Sequence, residues 1–77
     1  MSTDNDLIYD AVDVGIYITK LRKAKKLSMY QLALNSGVSR SILFYIEKGI
    51  REPHMNTVFK IIDGLEMRPA EFFRTFN

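Results

Sequence analysis

The strongest constraint on the fold comes from two serines that stand on either side of a glycine. Ser28 is followed three residues later by Gln31, which is the spacing of a capping box at the start of a helix. Ser39 is a second candidate N-cap, and Gly37 lies between the two serines. The sequence therefore predicts a short helix from Ser28 to about Gly37, a tight turn, and a further helix that begins directly after it.

The helix after Ser39 is expected to run to Lys48, because Gly49 then supplies a residue that adopts the left-handed conformation without strain. Two helices joined by a glycine-containing turn of about three residues form a helix-turn-helix. We place this motif at about residues 28–48.

Apolar spacing predicts three more helices around the motif. One stripe recurs every three or four residues, at Leu7, Ala11, Val14, Ile18 and Leu21, and predicts a first helix to about Lys25. After a loop over residues 50–53, a fourth helix is expected near residues 55–65, and Pro69 opens a short fifth helix. No segment has the pattern of a strand, so the predicted fold is all-α. We expect residues 1–7 to be a short polar tail and residues 8–77 to be a single domain.

Composition excludes several classes of function. A chain of 77 residues has room for one small domain. The absence of cysteine excludes disulfides, thiolate nucleophiles and zinc fingers, and the lone His54 cannot hold a metal by itself. No nucleophile–base pair or phosphate-binding glycine loop appears, so we expect neither an enzyme nor a cofactor, metal or small-molecule ligand. No apolar run approaches the roughly 18 residues of a membrane span, and the acidic N-terminus is unlike a signal peptide. We therefore expect a cytoplasmic protein.

The charge of the chain is divided unevenly along its length. Residues 1–19 carry four aspartates and no basic residue. Residues 20–51 carry eight basic residues against Glu47 alone, a net charge of +7, and residues 52–77 have a net charge of −1. A basic block confined to the middle of the chain indicates a surface that binds a polyanion.

The sequence of the predicted helices and turns closely resembles that of the Cro/CI-type, or XRE, helix-turn-helix family. The resemblance extends over roughly residues 15–73, and it rests on LRKAKKLS at 21–28, Leu32-Ala33, Gly37-Val38-Ser39, IEKG at 46–49 and Pro53. It implies a compact, lambda-repressor-like domain of five helices that binds double-stranded operator DNA as a homodimer, in a bacterial or phage context and in association with the nucleoid. The lengthened first helix and the ending Ala70-Glu71-Phe72-Phe73 are most similar to the small controller proteins of restriction–modification systems.

The resemblance also implies roles for single residues. The recognition helix lies in the major groove, and the positions that contact bases are Arg40, Ser41, Phe44 and Tyr45. The positions that contact phosphates are Ser28, Tyr30, Ser39, Lys48 and Arg51. Arg22 and Glu47 stand where family members form a buried ion pair between the first and third helices.

The aromatic residues near the C-terminus indicate where two copies of the chain meet. Phe72, Phe73 and Phe76 exceed what a core this thin can cover. We therefore expect this cluster to contribute to a dimer interface.

The sequence departs from the family pattern in three respects. Met29 replaces the glutamine that meets a phosphate, and Lys26 replaces a glycine, which predicts mild strain in that turn. The recognition helix is also unusually apolar. Since Leu43 and Ile46 already point inward, we expect Ile42 and Phe44 to remain outside, where they contact either thymine methyl groups or another protein.

Two functions follow from these observations. The first is a dimeric, sequence-specific regulator of transcription that binds a short palindromic operator and controls its own gene. The alternative is a helix-turn-helix domain that binds a protein through its apolar recognition helix. Such a domain would act like an antitoxin, or it would bind another regulator.

Overall fold

The computed structural model describes residues 11–74, with side chains from residue 13 onward, and this part of the chain contains five helices and no strand. The helices are α1 (Ala11–Ala24), α2 (Met29–Ser36), α3 (Arg40–Glu47), α4 (Met55–Gly64) and α5 (Pro69–Phe73). The prediction of an all-α domain of five helices is confirmed. Leu7, Phe76 and the expected tail at residues 1–7 lie outside the described residues.

The two serines cap the helices as the sequence predicts. Ser28 Oγ accepts a hydrogen bond from the backbone N–H of Gln31 at 3.0 Å, and the Gln31 side chain accepts one from the backbone N–H of Ser28 at 2.9 Å. Ser39 Oγ accepts from the N–H of Ile42 at 3.1 Å. Because these bonds satisfy N–H groups that have no partner within the helix, the starts of α2 and α3 are determined locally.

Four of the helices end in the same way. The residue after each last turn has positive φ, and the next residue donates its N–H back to a carbonyl five residues earlier, which is the Schellman arrangement. The residues with positive φ are Lys26, Gly37, Gly49 and Glu66, at φ 60°, 73°, 73° and 61°. The returning bonds are Leu27 to Arg22, Val38 to Ala33, Ile50 to Tyr45 and Met67 to Ile62.

The core lies where the helices meet. α1 packs against α3, α2 packs against both α3 and α4, and α5 packs against α4. The fully buried side chains are Val14, Ile18, Leu32, Leu43, Ile46, Val58, Ile61, Ile62, Leu65 and Phe72. The α1–α3 crossing is so close that a Cβ at Gly15 would overlap the carbonyl oxygen of Ile46. This contact holds α3 at a set distance from α1.

The structure corrects the expectation that Phe72 lies at a dimer interface. The Phe72 side chain has no exposed surface, and its ring centroid lies 5.0 Å from that of Tyr17 on α1. Because α5 folds back onto the rest of the domain, Phe72 fills the core. A fully buried side chain offers no area to a second copy.

Candidate nucleic-acid interface

The two faces of α3 differ in their exposure to solvent. Leu43, Ile46 and Glu47 are buried against the domain. On the opposite face, four exposed side chains share one open depression of about 280 Å³ with Met29 of α2; they are Arg40, Ser41, Phe44 and Tyr45. The structure therefore brings together all four residues that the sequence predicts as base contacts.

Ile42 does not belong to this exposed face, and the expectation that it remains outside is wrong. Its side chain is half-buried against the core, and it borders a small depression with Arg51, Pro53 and Thr57. The loop after α3 passes beside Ile42 and lines this depression with it, which helix periodicity alone does not reveal. The apolar part of the exposed face of α3 therefore consists of two aromatic rings.

Phe44 and Tyr45 are these two rings. They are 40% and 41% exposed, and their centroids lie 5.7 Å apart in an edge-on arrangement. The Nζ of Lys48 lies 5.6 Å from the centroid of Phe44, within the range of a cation–π contact. This contact keeps the ammonium group of Lys48 beside the exposed face of α3.

The residues predicted to contact phosphates lie around this face but do not form one cluster. Ser28 and Tyr30 stand at the start of α2, where Tyr30 is 61% exposed, and Ser39 stands at the start of α3. Lys48 follows the end of α3, whereas Arg51 is exposed and lies in the loop beside Ile42. Both serine hydroxyls accept a backbone hydrogen bond and keep their own proton free for an acceptor outside the protein.

Arg22 and Glu47 form an ion pair that joins α1 to α3. Arg22 Nε and Nη2 donate to the two carboxylate oxygens of Glu47 at 2.8 and 3.0 Å, and Nη1 donates to the carbonyl oxygen of Leu27 at 2.9 Å. The Arg22 and Glu47 side chains are only 11% and 2% exposed. A bidentate pair of this kind fixes the angle between the two helices as well as their distance.

Thr19 also belongs to this network, although it is not among the site residues predicted from the sequence. The Thr19 hydroxyl lies 2.9 Å from Glu47 Oε1 and also 2.9 Å from the carbonyl oxygen of Gly15, so it donates to one of them at a time. Thr19 stands three residues before Arg22 on the same face of α1. Residues three apart on a helix are neighbours on its surface, so this spacing indicates from the sequence that Thr19 lies beside Arg22.

A second aromatic surface lies on α4 and α5. Phe73 is half-buried, and its ring centroid lies 6.2 Å from that of Phe59 on α4 in an edge-on arrangement. Phe59 is 43% exposed, and Met55 one turn earlier is 46% exposed. The sequence prediction included Phe73 but missed Phe59 and Met55, which share a helix face at a spacing of four residues.

The helix-turn-helix family model matches residues 18–72, which is most of the chain. The chain belongs to the helix-turn-helix family of XRE type. This family comprises non-enzymatic, DNA-binding regulators of transcription, in agreement with the fold and the capped α2–turn–α3 unit.

Solved helix-turn-helix structures resemble the whole domain. The restriction–modification controller protein C.AhdI from Aeromonas hydrophila is 34% identical, with a TM-score of 0.76 over 80% of this chain and 94% of that one. The controller protein C.Esp1396I, solved as a tetramer in complex with its natural 35 base-pair operator, is 27% identical, with a TM-score of 0.82 over 86% of this chain and 87% of that one.

Curated relatives share the domain but are longer. An HTH-type transcriptional regulator of Mycobacterium tuberculosis (strain ATCC 25618 / H37Rv) is 40% identical over 60 residues, which are 78% of this chain and 23% of that regulator. The HTH-type transcriptional regulator SlrR of Bacillus subtilis (strain 168) is 39% identical over 61 residues, which are 78% of this chain and 40% of SlrR. The chain thus spans less than half the length of these relatives.

Residues 11–74 contain neither a membrane-spanning helix nor a cluster of metal ligands. None of the helices in that range is both long and apolar enough to cross a membrane. The same range contains no group of three or more His, Cys, Asp or Glu residues that could hold a metal ion.

Proposed function

We propose that this chain is a sequence-specific regulator of transcription that binds a short palindromic operator as a homodimer. One observation carries the proposal: Arg40, Ser41, Phe44 and Tyr45 are exposed together on one face of α3, while the other face is buried. An α-helix fits the major groove of B-DNA, where each base pair presents a distinct pattern of donors, acceptors and methyl groups.

Three of the four side chains suit particular features of base pairs. The fork of Arg40 matches the O6 and N7 acceptors of a guanine, and Ser41 can donate or accept at a base edge. The exposed part of the Phe44 ring suits the methyl group of a thymine. We therefore expect half-sites that place a guanine close to one or more thymines.

Phosphate contacts would hold α3 in register without reading sequence. Ser28, Tyr30 and Ser39 at the helix starts, and Lys48 and Arg51 after α3, are the groups for this task. The net charge of +7 in residues 20–51 supports the same assignment, because neutralising phosphates releases counterions from the DNA.

A homodimer follows from the symmetry of a palindromic site. Two recognition helices must lie about one DNA turn apart, roughly 34 Å, to contact successive half-sites. Phe59 and Met55 are exposed on α4, Phe59 contacts the half-buried ring of Phe73 on α5, and we assign this apolar surface to the contact between copies. The tetramer of C.Esp1396I on its operator supports assembly on DNA for this chain too. Control of its own gene, acting on chromosomal DNA in the cytoplasm, completes the proposal.

The exposed ring of Phe44 also favours a second candidate function, the binding of a protein through α3. Aromatic residues are enriched at the centres of protein interfaces. A protein partner, however, has no need of the large positive charge around α3, which is why we place DNA first.

Selection of binding sites from random duplex DNA tests the proposal, using the parent, Arg40→Ala and Arg51→Ala at fixed salt. The parent should enrich an inverted repeat. Arg40→Ala should lose about 1–3 kcal/mol and relax the preference at one base pair of each half-site, with little change in salt dependence.

Arg51→Ala is the matched control, because it removes the same side chain from a position assigned to a phosphate. It should weaken binding to all sequences alike and lower the slope of log affinity against log salt by about one. If both variants behave alike, Arg40 contacts the backbone rather than a base. If the parent enriches no sequence, binding of protein becomes the better description of α3.

A further inference from the structure

A second open depression adjoins the candidate nucleic-acid interface. Its volume is about 240 Å³, and it lies between α1, the first residue of α2 and the end of α3. Its lining combines two apolar side chains, Ile16 and Met29, with the hydrogen-bonded network that joins α1 to α3. That network consists of Thr19, Arg22 and Glu47. Since Arg22 and Glu47 neutralise each other there, the interior of the depression has no net charge to offer a ligand.

The edge of the depression is different, because two lysines stand on it. Lys23 of α1 and Lys48 at the end of α3 both line the depression and are both exposed. Among the described residues, neither ammonium group has a carboxylate partner within ion-pair distance. Two ammonium groups without carboxylate partners, on the edge of a depression whose interior has no net charge, form a site for an anion.

The position of this depression indicates which anion it meets. Met29 lines both this depression and the one formed by Arg40, Ser41, Phe44 and Tyr45, so the two are contiguous. If α3 contacts base edges in a major groove, the neighbouring depression faces the sugar–phosphate strand that borders that groove. The contact of Lys48 with the Phe44 ring orients its ammonium group toward the same boundary.

We propose that Lys23, which lies on α1 outside the helix-turn-helix, binds a DNA phosphate together with Lys48. This inference rests on the proposed function, since it requires α3 to approach DNA. It assigns to α1 a direct contact with the ligand, in addition to its role in holding α3 through Arg22. The contact fixes the approach of α3 to the groove and carries no sequence information of its own.

The test compares Lys23→Ala with Lys25→Ala in the full-length chain. Lys25→Ala is the matched control, because it removes the same charge from a position two residues away in the sequence. Lys25 lines a different depression, formed with Gly64 and Leu65 among others and containing no residue of α3. Affinity is measured across a range of salt for the duplex that the parent selects and for a shuffled duplex of equal length, and thermal melting verifies that both variants fold.

Lys23→Ala should weaken binding to both duplexes by about three- to tenfold and lower the salt slope by about one, whereas Lys25→Ala should leave the slope unchanged. Lys23→Ala combined with Lys48→Ala should lower the slope by about two. Equal effects of Lys23→Ala and Lys25→Ala would overturn this inference and leave the proposed function intact. A parent that binds neither duplex at low salt would overturn both.

Discussion

At the scale of single residues, burial separates the charges that hold the domain together from those that are free to act outside it. Of the eight basic residues in the central block, Arg22 is buried and bound to Glu47, whereas Lys23, Arg40, Lys48 and others are exposed. A salt bridge on the surface contributes little, but removing one member of a buried pair leaves an uncompensated charge. The two groups of residues should therefore respond very differently to substitution.

Glu47→Ala should lower the free energy of unfolding by about 3–5 kcal/mol, because the guanidinium of Arg22 would remain buried without its partner. Denaturant unfolding monitored by circular dichroism measures the change. Glu47→Gln keeps the shape and one acceptor and should lose less, and Lys48→Ala is the exposed control, with a change of about 0.5 kcal/mol or less. A loss below about 1 kcal/mol for Glu47→Ala would show that the pair behaves as an exposed one.

At the scale of helices, the starts and ends of the elements are determined by short-range bonds. The capping box at Ser28 and the Schellman ends at Gly37 and Gly49 each involve residues within six positions of one another. α1 ends in the same arrangement, but a lysine instead of a glycine has positive φ there. Because a Cβ is unfavourable in this conformation, the turn between α1 and α2 carries steric strain at Lys26.

Lys26→Gly should raise the free energy of unfolding by about 0.5–1 kcal/mol, since glycine adopts positive φ without a steric penalty and part of the gain is offset by a more flexible unfolded chain. Lys26 is exposed, so no packing is lost. Lys25→Gly is the neighbouring control, and it should be neutral or slightly destabilising because residue 25 does not have positive φ. Thermal melting of the two variants and the parent distinguishes the effects, and equal shifts for both would argue against strain at residue 26.

At the scale of the whole molecule, the densest positive charge and the aromatic pair of Phe59 and Phe73 lie on different elements. Seven exposed basic residues between positions 20 and 51 lie on α1, on α3 and in the segments that follow these helices, whereas Phe59 and Phe73 lie on α4 and α5. A molecule built in this way can bind a polyanion with one surface and a second copy with the other. Dimerisation and DNA binding should then be linked, because each copy offers only one recognition helix.

Phe59→Glu should convert the protein from the proposed dimer to a monomer, because it places a charge in the apolar surface that we assign to the contact between copies. Sedimentation measures the mass, for which a single chain is 8.9 kDa. Leu34→Glu is the matched control, since Leu34 is 66% exposed but lies on α2. It should remain a dimer, and operator affinity should fall for Phe59→Glu alone. A parent that sediments as a monomer even with operator DNA present would contradict the prediction.

The sequence by itself determined the features that depend on neighbouring residues. Ser28 with Gln31, Gly37 and Gly49 specify where helices start and end, since their bonds close within one or two turns. The apolar stripes of α1 and α4 likewise follow from helical spacing. The family could also be recognised, because its pattern consists of these same residues, and the four candidate base contacts follow from the family.

Only the tertiary structure decided which side chains are covered. Phe72 and Phe59 are the same kind of residue on neighbouring amphipathic helices, yet one fills the core and the other stays exposed. Ile42 is half-buried against the core beside the loop that follows its own helix, and Lys23 shares a depression with Lys48, 25 residues away. Such relations depend on how separate helices pack, and helix periodicity within one segment contains no information about the partner across the contact.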